Sequence, residues 1–288
     1  MIPREFEYHA PKSVPDALRL LGQFGDEAKL LAGGHSLLPM MKLRFAQPGH
    51  LIDLGRIAEL KGIREDGGQI RIGAMTTENQ IIWSTLLQAK CPLLVEGAKL
   101  ISDPQVRYKG TIGGDIAHGD PGNDHPALML ALGASFVLRG PAGERIVAAD
   151  GFFLGAYATL LKPDEIMTEI RIPTPAAGTG SAYAKLKRKV GDFATAAAAV
   201  ALRMKGDTVL DVAIALTNVG PTPLKARAAE DALRGRALND ASIAEAAKLA
   251  MSICAPATDQ RGDAEYRTAM AGEMTQRALR TAASRATR

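Results

Sequence analysis

The sequence predicts an α+β protein of two domains, and three observations carry that expectation. Its 288 residues lie near the length at which one hydrophobic core divides into two. In the first half, strand-like and helix-like stretches are mixed without strict alternation, whereas the second half runs strands first and helices after. Between them, residues 173–180 read Pro-Thr-Pro-Ala-Ala-Gly-Thr-Gly, a linker composition that divides the chain into domains 1–177 and 178–288.

The elements follow in order. Ser13 before Pro15 and Asp16 reads as an N-cap with an early-helix proline and acid; Val14, Leu18, Leu21 and Phe24 recur at helical spacing, and Gly25 closes that helix. Residues 29–31 rise as a short strand into Ala32-Gly33-Gly34-His35-Ser36, and residues 37–44 look helical. The pattern changes from Leu51. Residues 60–64 and 69–73 flank Asp66-Gly67-Gly68 as a hairpin, and Thr77 caps a helix through Trp83 to Leu87. A second glycine-rich stretch covers 109–123. It precedes an apolar helix from about Pro126, a hairpin around Gly140 to Gly143 and a strand at 169–172. In the second domain, residues 182–187, 195–204 and 209–217 read as a three-stranded antiparallel sheet, although the alanine run is also compatible with helix. Residues 224–233, 241–253 and 264–283 read as helices broken at Gly235 and Pro256. The basic tail Arg277, Arg280, Arg285 and Arg288 reads as a solvated helix face.

Composition mainly excludes. Thirty-five Lys plus Arg against 31 Asp plus Glu give a net charge of +4, spread along the chain, which does not argue for nucleic acid. Two distant cysteines, Cys91 and Cys254, rule out a protein-held iron–sulfur cluster or a Cys-rich zinc site and favour a reduced cytoplasm. The acidic N-terminus lacks an apolar core, and the longest uncharged apolar stretch, 126–138, is too short to span a bilayer. Neither a signal peptide nor a transmembrane helix is expected.

Two loops carry the main chemical signal. In residues 32–36 a glycine pair lets the backbone approach a ligand while Ser36 can cap the next helix, and free amides there favour an anion. Gly110-Thr111-Ile112-Gly113-Gly114-Asp115 repeats the combination, so the two loops could hold the two phosphates of one pyrophosphate. Taken singly, each Gly-Gly is more simply a tight turn. Neither loop matches GxGxxG or GxxxxGK[ST], which disfavours a Rossmann site and a P-loop. A rival reading takes His118, Asp120, Asp124 and His125 as ligands of a divalent metal in a metallohydrolase, without an HxH or HExxH spacing to support it. Ser36 beside His35 is a sequence neighbour and no triad.

These motifs, with Gly119-Asp-Pro-Gly-Asn-Asp124 and Tyr183-Ala-Lys-Leu-Lys-Arg-Lys-Val-Gly-Asp-Phe-Ala-Thr-Ala-Ala-Ala-Ala-Val200, resemble the FAD-binding subunits of molybdenum hydroxylases, related to the xanthine dehydrogenase flavin domain. The resemblance covers essentially the whole chain and is strongest toward the medium subunits of aerobic carbon monoxide dehydrogenases. It implies a vanillyl-alcohol-oxidase-type FAD-binding domain of two subdomains, about 1–56 and 57–177, with FAD held non-covalently against the C-terminal α+β domain. Ala32, Gly33, Gly34, His35 and Ser36, with Thr111, Ile112, Gly113, Gly114 and Asp115, would embrace the pyrophosphate. Asp124 and Lys185 match flavin-contacting positions, Ile101 and Met167 match apolar lining positions, and Phe193 matches an aromatic near the isoalloxazine. One departure is Asp115, where the family usually has Asn, which sets a carboxylate near phosphates unless it faces ribose hydroxyls or backbone donors.

The same resemblance implies a subunit that does not oxidise substrate itself. Electrons would come from a small partner subunit with [2Fe-2S] clusters, and oxidation would occur on a large subunit holding a molybdenum-pterin cofactor and copper. The assembly would be a dimer of heterotrimers that delivers electrons to a quinone, in the cytoplasm with room for peripheral contact at the inner face of the membrane. Related subunits serve aldehyde, nicotinate or purine hydroxylases, and a flavin-free scaffold is a further alternative. Lys185, Lys187 and Lys189 would share one strand face, where a cation favours a reduced, anionic flavin; the plain alternative is an edge strand protected by lysines.

Overall fold

The computed structural model describes residues 2–286, and its chain is organised by three sheets. The first is small and parallel, in the order β1 (Glu7–His9), β3 (His50–Asp53), β2 (Ala28–Leu31). Between β1 and β2 runs α1 (Val14–Phe24), where Ser13 accepts from the Asp16 amide, Pro15 stands in the first turn and Gly25 ends the helix at φ 52°. Val14, Ala17 and Leu21 bury its apolar face with Ile52, Leu54 and Ile57. Helix α2 (Leu37–Lys42) stops short of the expected 44, because Arg44 turns the backbone to φ 63°.

The second sheet is antiparallel, in the order β4 (Ile63–Asp66), β5 (Gln69–Gly73), β10 (Ile166–Pro173), β6 (Ser135–Gly140), β7 (Gly143–Ala148). Gly67 and Gly68 turn the first hairpin, both at positive φ, as a two-residue primed turn requires. A smaller hairpin pairs β8 (Phe153–Gly155) with β9 (Ala158–Thr159). The helix expected from Thr77 to Leu87 is two, α3 (Glu78–Trp83) and α4 (Thr85–Lys90). Ser84 leaves the helical region and caps the second by accepting from Leu87 N, so a residue tolerable inside a helix acts here as a start signal. Helices α5 (Pro92–Leu100), α6 (Pro104–Lys109), α7 (Ile112–His118) and α8 (Asp124–Ala131) follow. Ile70, Ile72, Phe136, Leu138, Ile170 and Ile172 face the helices across the largest core, and every residue of α8 is buried.

The third sheet is the antiparallel meander β11 (Gly180–Leu186), β12 (Ala196–Lys205), β13 (Thr208–Thr217), lengthened by a two-residue β14 (Leu224–Lys225). This fourth strand takes the first residues of the expected helix, which begins instead as α9 (Arg227–Leu233), before α10 (Asp240–Met251) and α11 (Ala264–Arg285). The alanine run is a strand because it separates two cores. Ala197 and Ala199 enter the large core beneath α8, while Ala196 and Ala198 pack on the other side under α11. Small side chains on both faces let helices approach from each side.

The C-terminal arginines do more than face solvent. Arg285 donates to Glu96 of α5 and to the Ser181 carbonyl, both at 2.7 Å, and Arg280 pairs with Asp240. Arg288 lies outside the described residues. Buried Arg267 donates to three carbonyls, those of Thr195, Ala257 and Asn218, which rivets α11 to the end of β12. Among the described residues no helix is long and apolar enough to cross a membrane.

Contact between α11 and β11 is backbone to backbone at Gly180, where an added Cβ would stand 2.0 Å from the Ala282 carbonyl oxygen. Gly180→Ala should therefore cost about 1–3 kcal/mol, the range for overpacking, and lower the thermal midpoint by several degrees. An unchanged melting curve would show that α11 yields freely.

Candidate functional site

The two glycine loops meet. A Cβ on Gly33 would lie 2.4 Å from the Lys109 carbonyl oxygen and 2.7 Å from Gly110 Cα, and one on Gly114 would lie 3.0 Å from Ala32 Cβ. The Gly33 contact is with backbone, which leaves no room for a side chain, whereas a Cβ on Gly114 meets the Thr111 hydroxyl oxygen at 2.9 Å and the Ala32 methyl, so a side chain there would press the two loops apart. The second loop is anchored from below. Ile112 N and Gly113 N donate to the carbonyls of Thr76 and Ala74 (3.0 and 2.9 Å), Glu78 N donates to Gly110 O (3.1 Å), and Thr111 caps α7 through Gly114 N. Gly113 thus serves packing, since its Cβ would fall 2.4 Å from Ala74 Cβ. The first loop is the open one: among the described residues, the amides of Gly33, Gly34, His35 and Ser36 donate to no protein acceptor. Ser36 does not cap α2: its backbone is already helical (φ −106°, ψ −52°) and its side chain makes no capping hydrogen bond. With Gly34 at φ +79°, this is a concave run of donors suited to an anion.

Below the loops lies a buried polar network. Lys185 Nζ donates to Asp124 Oδ2 at 2.6 Å, with its side chain only 1% exposed, and to the Leu100 carbonyl at 3.3 Å. Tyr183 OH donates to Asp124 Oδ1 at 2.5 Å and meets Thr217 Oγ1 at 3.1 Å. Burial, with Asp124 alongside, pushes the Tyr183 phenol well up, so it stays a donor. Lys187 also reaches the Leu100 carbonyl, at 3.1 Å, whereas Lys189 lies beyond the end of β11 and is exposed. The expected face of three lysines is therefore two, and the solvated edge-strand alternative fails for Lys185, which is paired and enclosed.

Asp115 sits in the first turn of α7 with its Oδ2 buried and unpartnered. Burial, reinforced by Glu78, Asp124 and Asp120 and opposed by His125, pushes its carboxyl up to about 8. It is thus protonated at neutral pH and offers an O–H where an Asn would offer an N–H. His125 Nε2 donates to Glu78 Oε2 at 2.8 Å, both fully enclosed. Burial pulls the imidazole down, but Glu78, with Asp115 and Asp124 behind it, outweighs that and holds it at about 9.

The remaining positions lie around this network. Ile101 follows Leu100 at the end of α5 and its carbonyl accepts from Arg107. Phe193 is 43% exposed, carries Arg261 over its ring at 5.6 Å, and lies against Gly122 of the 119–124 loop. Met167 is enclosed in the large core on β10, behind the Ala74 backbone that anchors α7. The metal reading of the 118–125 loop fails. His118 is turned against Tyr157, Asp120 against Gly122 N, His125 against Glu78, and Asp124 against Lys185 and Tyr183, so the four groups do not converge on one ion. Glu78, Tyr183 and Thr217 are members that sequence reasoning missed; the Thr77 cap before Glu78 was the available signal.

Family comparison agrees with this geometry. Residues 4–175 match the FAD-binding domain in molybdopterin dehydrogenase, and residues 181–282 match the CO dehydrogenase flavoprotein C-terminal domain. The chain belongs to the molybdopterin dehydrogenase flavoprotein family. Within it, the chain is 63% identical to the carbon monoxide dehydrogenase medium chain of Hydrogenophaga pseudoflava over 99% of both chains. It is 55% identical to the corresponding chain of Afipia carboxidovorans, again over 99% of both. A solved carbon monoxide dehydrogenase from Hydrogenophaga pseudoflava superposes with a TM-score of 0.99 at 65% identity, covering 100% of each chain. The cofactor that the FAD-binding domain implies is FAD. Its diphosphate fits the four free amides, and the neutral Asp115 carboxyl removes the conflict that an anion would create there.

Two outcomes follow. Asp115 and His125 both hold protons in the folded chain that the unfolded chain releases at lower pH. Stability from Asp115 is present below its ordinary carboxylate range and lost as pH rises toward about 8; that from His125 is lost toward about 9. The melting temperature should fall from pH 6 to 9.5, and Asp115→Asn should flatten the part below pH 8; an identical slope in the variant would show that Asp115 is ionised throughout. Lys185→Met, which leaves Asp124 buried without its cation, should destabilise by about 3–5 kcal/mol, and Lys185→Met with Asp124→Leu by clearly less, measured by denaturant unfolding.

Proposed function

We propose that this chain binds one FAD non-covalently and is the electron-exit subunit of a molybdenum- and copper-containing carbon monoxide dehydrogenase. The observation that carries the proposal is the meeting of two glycine loops around four amides without protein acceptors. When bound, FAD accepts electrons singly and passes them on in pairs. The amides of residues 33–36 hold the diphosphate, with Thr111, Ile112, Gly113, Gly114 and Asp115 forming the opposite rim. Lys185, fixed by Asp124, brings a cation to the flavin's side, while Ile101 and Phe193 exclude water around it and Met167 backs the wall. Residues 1–177, in two subdomains about 1–56 and 57–177, form one side of the cleft and residues 178–288 the other.

Carbon monoxide is favoured over aldehyde, nicotinate or purine substrates by identity of 63% and 55% over nearly the full length of two carbon monoxide dehydrogenase medium chains. Partner subunits follow from the cysteines. Cys91 lies in the large core and Cys254 beside α10, with burial pushing their thiols up to about 12 and about 11. Two cysteines so far apart do not make up the four thiolates of a cluster, so in this reading electrons come from clusters on a small subunit and oxidation from a large one. A dimer of heterotrimers, a quinone acceptor and peripheral contact with the inner face of the cytoplasmic membrane complete the reading.

Denaturing the purified complex should release one FAD for each copy of this chain. Gly33→Val and Gly114→Val should each reduce flavin content at least tenfold, read by absorbance, with subunit assembly followed by gel filtration. Full flavin content in assembled variants would overturn the two-loop site. Complexes lacking FAD should keep carbon monoxide oxidation with a dye that accepts from the clusters and lose quinone reduction.

A further inference from the structure

At the edge of the parallel sheet, far in sequence from the flavin loops' anchors, three ligand groups converge. Glu7 of β1 stands opposite His50 of β3, and His9, two residues along the strand, projects to the same face as Glu7. His9 Nε2 is 3.1 Å from His50 Nδ1, and Glu7 Oε2 is 3.6 Å from His50 Nδ1 and 4.0 Å from His9 Nε2. Phe24, the last residue of α1, stacks on both imidazoles, with ring centroids 3.7 Å from His50 and 5.0 Å from His9. The rings are thereby oriented by packing before anything binds. Their side chains are 17% and 21% exposed while Glu7 is 73% exposed, so the cluster opens to solvent on its carboxylate side.

A hydrogen bond between the imidazoles satisfies one proton but leaves the carboxylate beyond hydrogen-bond reach of both. A divalent ion accounts for all three. Nitrogen and oxygen ligands about 2.0–2.2 Å from a tetrahedral ion lie roughly 3.3 Å from one another, close to the spacing here. Two imidazoles and one carboxylate with an open fourth position suit a borderline first-row cation, while Ca²⁺ and Mg²⁺ prefer all-oxygen shells.

We propose that Glu7, His9 and His50 bind Zn²⁺ or a similar first-row divalent cation, which clips the edge strand β1 to β3. The clip joins two histidines 41 positions apart in the chain and fixes a strand only three residues long. Its role is structural, and none of its ligands belongs to the polar network around Asp124.

The untagged full chain, stripped with a chelator and titrated calorimetrically with ZnCl₂, should take up one Zn²⁺ per chain and unfold at a higher temperature; MgCl₂ should do neither. His9→Gln and His50→Gln should each weaken uptake by roughly tenfold or more, with FAD content unchanged as the control for folding. Absence of stoichiometric uptake would leave only a hydrogen-bonded histidine pair and overturn the proposal. Uptake unaltered in the His9→Gln/His50→Gln double variant, placing the ion elsewhere, would overturn it equally.

Discussion

The buried ion pair of Lys185 with Asp124 is the interaction on which the rest of the molecule turns. An ammonium and a carboxylate are both removed from water, so each is tolerable only because the other is 2.6 Å away and the remaining donors and acceptors are met by Tyr183 and the Leu100 carbonyl. Lys185 and Tyr183 come from β11, Asp124 from the start of α8 and Leu100 from the end of α5. Three chain segments from both halves therefore agree on one position. That agreement fixes where the C-terminal sheet stands relative to the loops that meet above it.

Around this pair the electrostatics are compatible with the diphosphate proposed above. Four acids lie near one another: Glu78, Asp115, Asp120 and Asp124. Left ionised, they would repel a diphosphate. Instead Asp124 is matched by Lys185, Glu78 by a protonated His125, and Asp115 keeps its own proton. Asp120, on the loop nearer the surface, has no cation beside it among the described residues and accepts from Gly122 N and the Tyr157 hydroxyl instead. The helix start at Thr111 and the open amides of the first loop then contribute positive potential without competition.

Much of this was legible in the residues. The caps at Ser13 and Thr77 and the Gly67-Gly68 turn are local signals, read without knowing the fold, and they hold; the two glycine loops do come together. What was not legible depends on long-range packing. Ser84 splits a helix because the chain must turn there, and the alanine run becomes a strand because two cores need a thin wall, neither of which periodicity reveals. The site divides likewise. Glycines 33 and 114 were identifiable by type, but the protonation of Asp115 and the enclosure of Lys185 follow from neighbours 10 to 61 positions away, such as His125 and Asp124.

The alanine strand has one more consequence. A wall with Ala197 and Ala199 in one core and Ala196 and Ala198 in the other leaves no solvent layer at which the two halves could part. Loosening either core exposes one face of β12 and deprives the other of its backing. The halves should therefore melt as a single cooperative unit despite their separate sheets.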